Sequence, residues 1–345
     1  MSMKPLSREE IIQVIEGKGN VSRVPVLMHC WVGPGTFQGE TRAKVAELLD
    51  SYPMDAQIIS LKMPEVYTAP ADDPNYRWSY RDPRFDLSNA AHDNSGVILD
   101  WDEEMDLLLD NFPDPEYPGL IPECEPADGR YRVAHWWNFY FERFWGIRSM
   151  DEALMDFYLN PEAVHTLFRK YTDFYIRVIT RAKEEMNIDA IYTSDDLGTQ
   201  HSTFFSPKIF DEFFYPYYKQ VIDHIHSLGM HIWLHTCGNI EAFMPRFVEL
   251  GIDVIHPIQK YTMDEKKIAD AYGDKICIWA GFDMQQIIPY GTPEDVRREV
   301  RFLMDTYRRP EGRFMLTLGN GATPDMPAAS LEALLDEAFT YGQNQ

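Results

Sequence analysis

The chain has 345 residues, 45% hydrophobic and 25% charged, the proportions of an ordinary globular protein. Its 55 acidic against 32 basic residues give a net charge of −23, which repels phosphate backbones and anionic lipids, so neither nucleic acid nor membrane is expected as a partner. No apolar run approaches the roughly 20 residues of a membrane span. The opening MSMKPLSREEIIQVIEGKG has no apolar core of a secretory signal, and four cysteines make no disulfide scaffold, so a reducing cytoplasm is the expected setting.

In chain order, RVPVLMH (23–29) reads as strand one, followed by a helix at 41–50 and a strand at 55–61. Residues 66–132, rich in Pro, Asp and Tyr, read as long insertions over a barrel mouth, and 139–186 as two or three helices. From 188 the pattern is regular. IDAIYTS (188–194) is a buried strand. Ser206-Pro207 opens a helix with a capping serine and a proline at the first helical position. Its apolar face is Ile209, Phe213, Tyr217, Val221, Ile225 and Leu228, and Gly229 ends it. Strands follow at 231–235, 253–258, 275–281 and 313–319. Helices ending near Leu250, at 264–272, at 293–308 and at about 328–342 separate and follow them. Strand–helix alternation of this kind predicts an α/β fold with a parallel sheet covered by crossover helices. Five strands in the last 160 residues favour a (β/α)8 TIM barrel, with an N-terminal extension and the insertions over its carboxyl-end face. No linker divides residues 1–345, so one barrel domain is expected.

Barrel chemistry gathers at the carboxyl ends of the strands. Those ends carry His29-Cys30-Trp31, Asp195-Asp196, His235-Thr236-Cys237-Gly238, His256 with Gln259, Asp283 with Gln285 and Gln286, and Asn320. In an extended chain, residues two apart point the same way, so His235 and Cys237 can share one ion. Zinc takes N and S ligands, and catalytic sites use three protein ligands and an open position. The third ligand is sought among His29, Cys30, Asp195, Asp283 and Glu142. The doublet Asp195-Asp196 offers a general acid or base, or an orienting group for a substrate; the competing reading is helix capping or solvated loop charge. Tyr192 and Gln200 lie near enough in sequence to join the pocket, and His29 is expected to face it. His135-Trp136-Trp137-Asn138 reads as core or lid wall.

Several segments in order resemble the uroporphyrinogen decarboxylase superfamily, including its corrinoid-dependent methyltransferase branch. They are RVPVLMH, FWGIRSMDEALMDFYLNPEAV, SDDLGTQ with SPKIFDEFF, HTCG, DVIHPIQ, GFDMQQ with GTPEDVRREV, and LTLGNGATPDMP. The resemblance implies a (β/α)8 barrel with its pocket at the carboxyl end. True decarboxylases carry two arginines in an MRQAGR motif after strand one. Met28-His29-Cys30-Trp31-Val32-Gly33 stands there, so the resemblance points away from tetrapyrrole decarboxylation.

The methyltransferase branch binds zinc through an HxC motif, matched by His235 and Cys237, and a later cysteine, which aligns with Asn320. Asparagine is a poor zinc ligand; either another side chain completes the site or the metal is absent or altered. The implied activity moves a methyl group between a small methylated substrate and a corrinoid (cobalamin) protein, with zinc assistance. Asp195 and Asp196 would be catalytic, and His29, Tyr192, Gln200, His256, Asp283 and Asn320 would bind substrate. Relatives are often dimers, so a homodimer is expected. The alternatives are a decarboxylase or lyase acting on another carboxylic acid, and a catalytically silent barrel that binds a small molecule.

Overall fold

A computed structural model describes residues 4–79, 96–124 and 126–343. Among these, seven parallel strands form one curled sheet in chain order: β1 (Ala56–Ser60), β2 (Tyr131–Trp136), β3 (Ala190–Ser194), β4 (His231–His235), β5 (Val254–His256), β6 (Cys277–Phe282) and β7 (Phe314–Leu318). Helices cross over between them, in the alternation the sequence predicts, and the fold is TIM-barrel-like. The helix predicted at 41–50 is Gly39–Ser51. The segment 139–186 makes three, Phe141–Arg148, Met150–Leu159 and Pro161–Met186. Part of the insertion expected over the mouth, residues 80–95, lies outside the described residues.

The stretch expected as strand one takes the eighth position without becoming a strand. Val26 makes a single parallel bridge to Leu316 of β7, supported by Leu27 N to Leu316 O (3.1 Å) and Leu316 N to Pro25 O (2.9 Å). Pro25 has no N–H for a ladder. The Val26 N–H goes to a side chain instead, the Asp55 carboxylate at 2.8 Å. Asp55, fully buried just before β1, also accepts Leu6 N at 2.8 Å and both terminal nitrogens of Arg23 at 2.6 Å. One carboxylate therefore joins the N-terminal extension, the eighth stave and β1.

Large rings fill the barrel axis. Tyr131 stacks on Trp233 (5.8 Å between centroids), Trp233 meets Trp279 edge-on (5.3 Å), Trp279 meets His256 (4.7 Å), and His256 stacks under Trp31 (5.0 Å) at the mouth. Inward-pointing residues of different strands stack in such layers in a closed barrel. After Ser206, which caps the helix as expected, the turn widens at Phe210–Phe214 into a π-helical stretch. That stretch buries Phe210, Phe213 and Phe214 together, and the helix it feeds, Tyr215–Ser227, brings Tyr218 to the barrel wall. No described helix is long and apolar enough to cross a membrane.

Asp55→Ala strands the Arg23 charge in the interior. It is expected to cost about 3–5 kcal/mol, read as a lowered urea midpoint. A loss below about 1 kcal/mol would mean that the carboxylate does not close the barrel.

Candidate active site

Parallel register builds the site. Ser194 of β3 pairs with His235 of β4, and His235 with His256 of β5. Two residues past each of the first pair stand Asp196 and Cys237, side by side, with Cys237 N donating to Asp196 Oδ1 at 2.7 Å. The Cys237 sulfur lies 3.2 Å from His235 Nε2, and Asp196 Oδ1 lies 3.6 Å from the same nitrogen. The ligand atoms of Asp196, His235 and Cys237 all fall within 4.8 Å of one another, a group able to hold a metal ion.

Two glycines allow the approach. A Cβ on Gly238, whose φ is +82°, would meet Gly198 O at 2.2 Å; one on Gly198 would meet Asn239 N and Cys237 O at 2.7 Å. The loops after β3 and β4 press backbone to backbone there, which only glycine permits. The contact draws Asp196 to Cys237.

A hydrogen-bond chain sets the tautomers. His256 Nε2 faces the Leu318 carbonyl at 2.8 Å, so the proton is on that nitrogen. Burial holds His256 well below its ordinary pKa, so its Nδ1 is a bare acceptor. His235 Nδ1, at 2.7 Å, must then donate. This leaves the lone pair of His235 Nε2 pointing at Cys237 and Asp196. Metal-ligating histidines are oriented in this way by the partner of the other ring nitrogen.

The acidic doublet divides by strand alternation. Asp196 joins the trio. Asp195, 0% exposed, turns to the helices and accepts Tyr218 Oη (2.6 Å), Glu142 N (2.9 Å) and Tyr140 N (3.2 Å). It ties the start of the Phe141–Arg148 helix to β3, the capping role, and does not reach the mouth. Burial outweighs its donors and lifts its pKa to about 6. Glu142 takes the place beside the trio. It accepts the Ser194 hydroxyl, and burial together with the charges of Asp196 and Asp195 keeps its carboxyl protonated well above the usual range. Burial, then the charge of Asp196, pushes the Cys237 thiol up as well.

Among the described residues, the carboxylate that converges with His235 and Cys237 is that of Asp196. Asn320 lies across from it, with Nδ2 3.9 Å from the Cys237 sulfur. His256 stands behind His235, buried, with its Nδ1 2.7 Å from His235 Nδ1. Asp283 shares a small cavity of about 70 Å³ with Cys237 and Asn320. Its carboxylate is occupied, however, by Tyr261 Oη and the backbone N–H groups of Gln285, Gln286 and Ile287, so it caps a turn. Gln200 is exposed and accepts from Gln259 at 3.5 Å.

His29 and Tyr192 line a chamber of about 380 Å³ with Cys30, Trp31, His135 and Trp137. His29 Nε2 is tied to Leu49 O at 2.9 Å, and the Tyr192 hydroxyl is buried without a hydrogen-bond partner. Trp31 and Trp137 each lie 5.5 Å from the His235 ring and wall the trio. Asn138, at φ +67°, makes the left-handed turn after Trp137 and donates to Ser194 Oγ at 2.9 Å. Glu142 was weighed from sequence only as a ligand; its place beside the trio comes from the capping by Asp195, which no local motif announces.

A curled parallel sheet with nitrogen, sulfur and carboxylate donors converging at its carboxyl rim defines a TIM-barrel-like protein. The family model described as uroporphyrinogen decarboxylase (URO-D) matches residues 146–341, and the chain belongs to that family. It is 26% identical over 205 residues to a uroporphyrinogen decarboxylase of Flavobacterium johnsoniae (57% of this chain, 54% of the relative). It is 24% identical over 191 residues to the methylcobamide:CoM methyltransferase MtbA of Methanosarcina mazei (55% and 53%). The chain thus spans about half the length of the curated relatives it matches. A solved methyltransferase from Methanosarcina mazei superposes with a TM-score of 0.61 at 15% identity, covering 97% of this chain and 99% of that one; it shares the fold.

The raised pKa of Asp195 has a stability consequence of definite sign. Its contribution is fully present below the ordinary carboxylate range and is lost as pH rises through about 6. Unfolding midpoints of the wild type should therefore decline between pH 4 and pH 6.5 relative to those of Asp195→Asn. Parallel profiles for the two proteins would refute it.

Proposed function

We propose that the chain is a zinc-assisted methyltransferase, moving a methyl group between a small methylated substrate and a corrinoid carried by a separate protein. The observation that carries this reading is the Asp196–His235–Cys237 trio with the His235 lone pair fixed toward it. The donor set fits zinc: one imidazole nitrogen, one sulfur and one carboxylate, with room for a fourth ligand. The similarity to MtbA over about half of the chain supports the assignment.

Bound there, zinc supplies Lewis acidity, holding a thiol as thiolate or polarising a methoxy or amine leaving group. The chain's own groups do the rest. His256 keeps His235 in the ligating tautomer. Glu142 holds a proton beside the trio, available to the heteroatom that loses the methyl group. Trp31 and Trp137 pack against the His235 ring and wall the trio on that side. The Tyr192 hydroxyl, near Cys237, Asp196 and Glu142, is an unused donor for substrate.

A second reading, a carboxy-lyase on an acid other than a tetrapyrrole, draws on the decarboxylase relatives. It predicts CO₂ release without any corrinoid.

Metal analysis is expected to return about one zinc per chain. Cys237→Ser and Asp196→Asn should each lose it, and His256→Ala should weaken binding about 10–100-fold. A chain purified without chelator that holds no zinc would remove the basis of the reading. With methylated thiols, amines and aryl ethers as donors, methylation of a reduced corrinoid should be visible in its absorbance. Glu142→Gln should retain zinc and slow that turnover by about 10²–10⁴; unchanged turnover would clear Glu142 of proton transfer.

A further inference from the structure

Two spaces meet beside the trio: an outer cleft of about 720 Å³ and the chamber of about 380 Å³ that holds Cys30, Trp31 and Tyr192. Among the described residues, Ser60, His135 and Trp137 line both. Ser60 and His135 are register partners at the ends of β1 and β2, so the sheet fixes their places. Ser60 is small, and His135 is buried. Trp137 is the one large, exposed side chain of the three, and it stands between the two spaces.

Strand alternation brings it there. Residues two apart in an extended chain share a face, so Trp137 follows His135 toward the mouth, while Trp136 turns outward and stacks on Tyr175 (5.7 Å). The chain then leaves the strand at Asn138, whose φ is +67°. The main chain is held on both sides of that turn. Arg143 Nη2 donates to the carbonyls of Trp137 (3.2 Å) and Asn138 (3.3 Å), and Asn138 N donates to Ser194 Oγ (2.9 Å). On the chamber side the indole meets His135 edge-on (4.4 Å), Trp31 (5.4 Å) and Tyr192 edge-on (5.8 Å). It is therefore a fixed wall, not the tip of a free loop. The chamber behind it is enclosed: Cys30 is exposed, yet burial pushes its thiol well above the ordinary pKa, as expected for a surface that faces an internal space.

We propose that Trp137 is a specificity-determining residue that limits the size of the molecule able to reach the trio. It closes the chamber toward the outer cleft, so a methyl donor has to fit the chamber itself. A smaller side chain at 137 would join the two spaces and admit a donor whose second group extends into the cleft. The donor class is accordingly compact. It is also uncharged, since none of the nine residues that line the chamber is Asp, Glu, Lys or Arg. Shape exclusion of this kind needs no ion pair. Calling the excluded molecule a methyl donor rests on the methyltransferase reading; the size limit itself requires neither metal nor turnover.

Cys30 is a native reporter inside the chamber. The probes are methyl, benzyl and 1-pyrenylmethyl methanethiosulfonate, applied to the full-length chain as purified and after chelator treatment. Initial labelling rates of the Cys30 peptide are read by mass spectrometry and normalised to those of free glutathione. All three reagents need the thiolate, so its raised pKa cancels from their ratios. In the wild type the pyrenylmethyl reagent should label Cys30 about tenfold or more slowly than the methyl reagent, and Trp137→Ala should bring the two within about threefold. Trp137→Phe should fall between, and it decides the matter if Trp137→Ala fails to fold. A wild type that labels equally with all three reagents overturns the proposal without any variant. So does a folded Trp137→Ala, or Trp137→Phe in its place, with the wild-type ratio. A Trp137-dependent size limit in a chain that holds no zinc would uphold the proposal while the methyltransferase reading fails. Methyl transfer by a wild type that labels without regard to size would do the reverse.

Discussion

The lateral register of β3, β4 and β5 is the constraint on which the site depends. Parallel pairing sets Ser194, His235 and His256 in a row, and the two-residue repeat of extended chain then sets Asp196 beside Cys237. A shift of one residue in β3 would exchange Asp195 for Asp196 at the mouth and send the other carboxylate into the helix layer. The contact of Gly198 with Gly238 locks this arrangement beyond the last ladder bond. All three side chains of the trio stand within two residues of a strand end.

Around that row the barrel grades from aromatic to polar. The ring column from Tyr131 to Trp31 fills the axis and ends against His256 and His235. The low dielectric it creates explains why the histidines stay neutral and why Glu142 and Cys237 keep their protons. A cation entering the trio meets a thiol, a carboxylate and a fixed lone pair, with no nearby base already charged by a competing proton.

Much of this was legible in the sequence. From residue 188 onward every predicted strand and helix is present within a few residues, because apolar runs and capping signals agree there. His235 and Cys237 share a face, as their spacing implies. Strand one was not legible, because its apolar run looks like a strand and only the partner of the Val26 N–H reveals otherwise. The doublet was half legible: alternation dictates that one aspartate faces out, but which one follows from the register with β4. The places of Asp196 in the trio and of Glu142 beside it depend on contacts between residues about 40 to 55 apart in sequence. The glycines of DDLG and HTCG were the available signal for the first of these. His256 looked like a substrate contact because it sits at a strand end, and the chain of bonds through it to β7 is a tertiary fact.

That chain terminates on a main-chain oxygen rather than on a side chain. The identity of residue 318 is therefore free to drift over evolutionary time so long as β7 keeps its place, whereas position 256 must retain a ring with two opposed nitrogens. The two ends of one hydrogen-bond relay are thus under different mutational pressure, and a sequence comparison would detect only one of them.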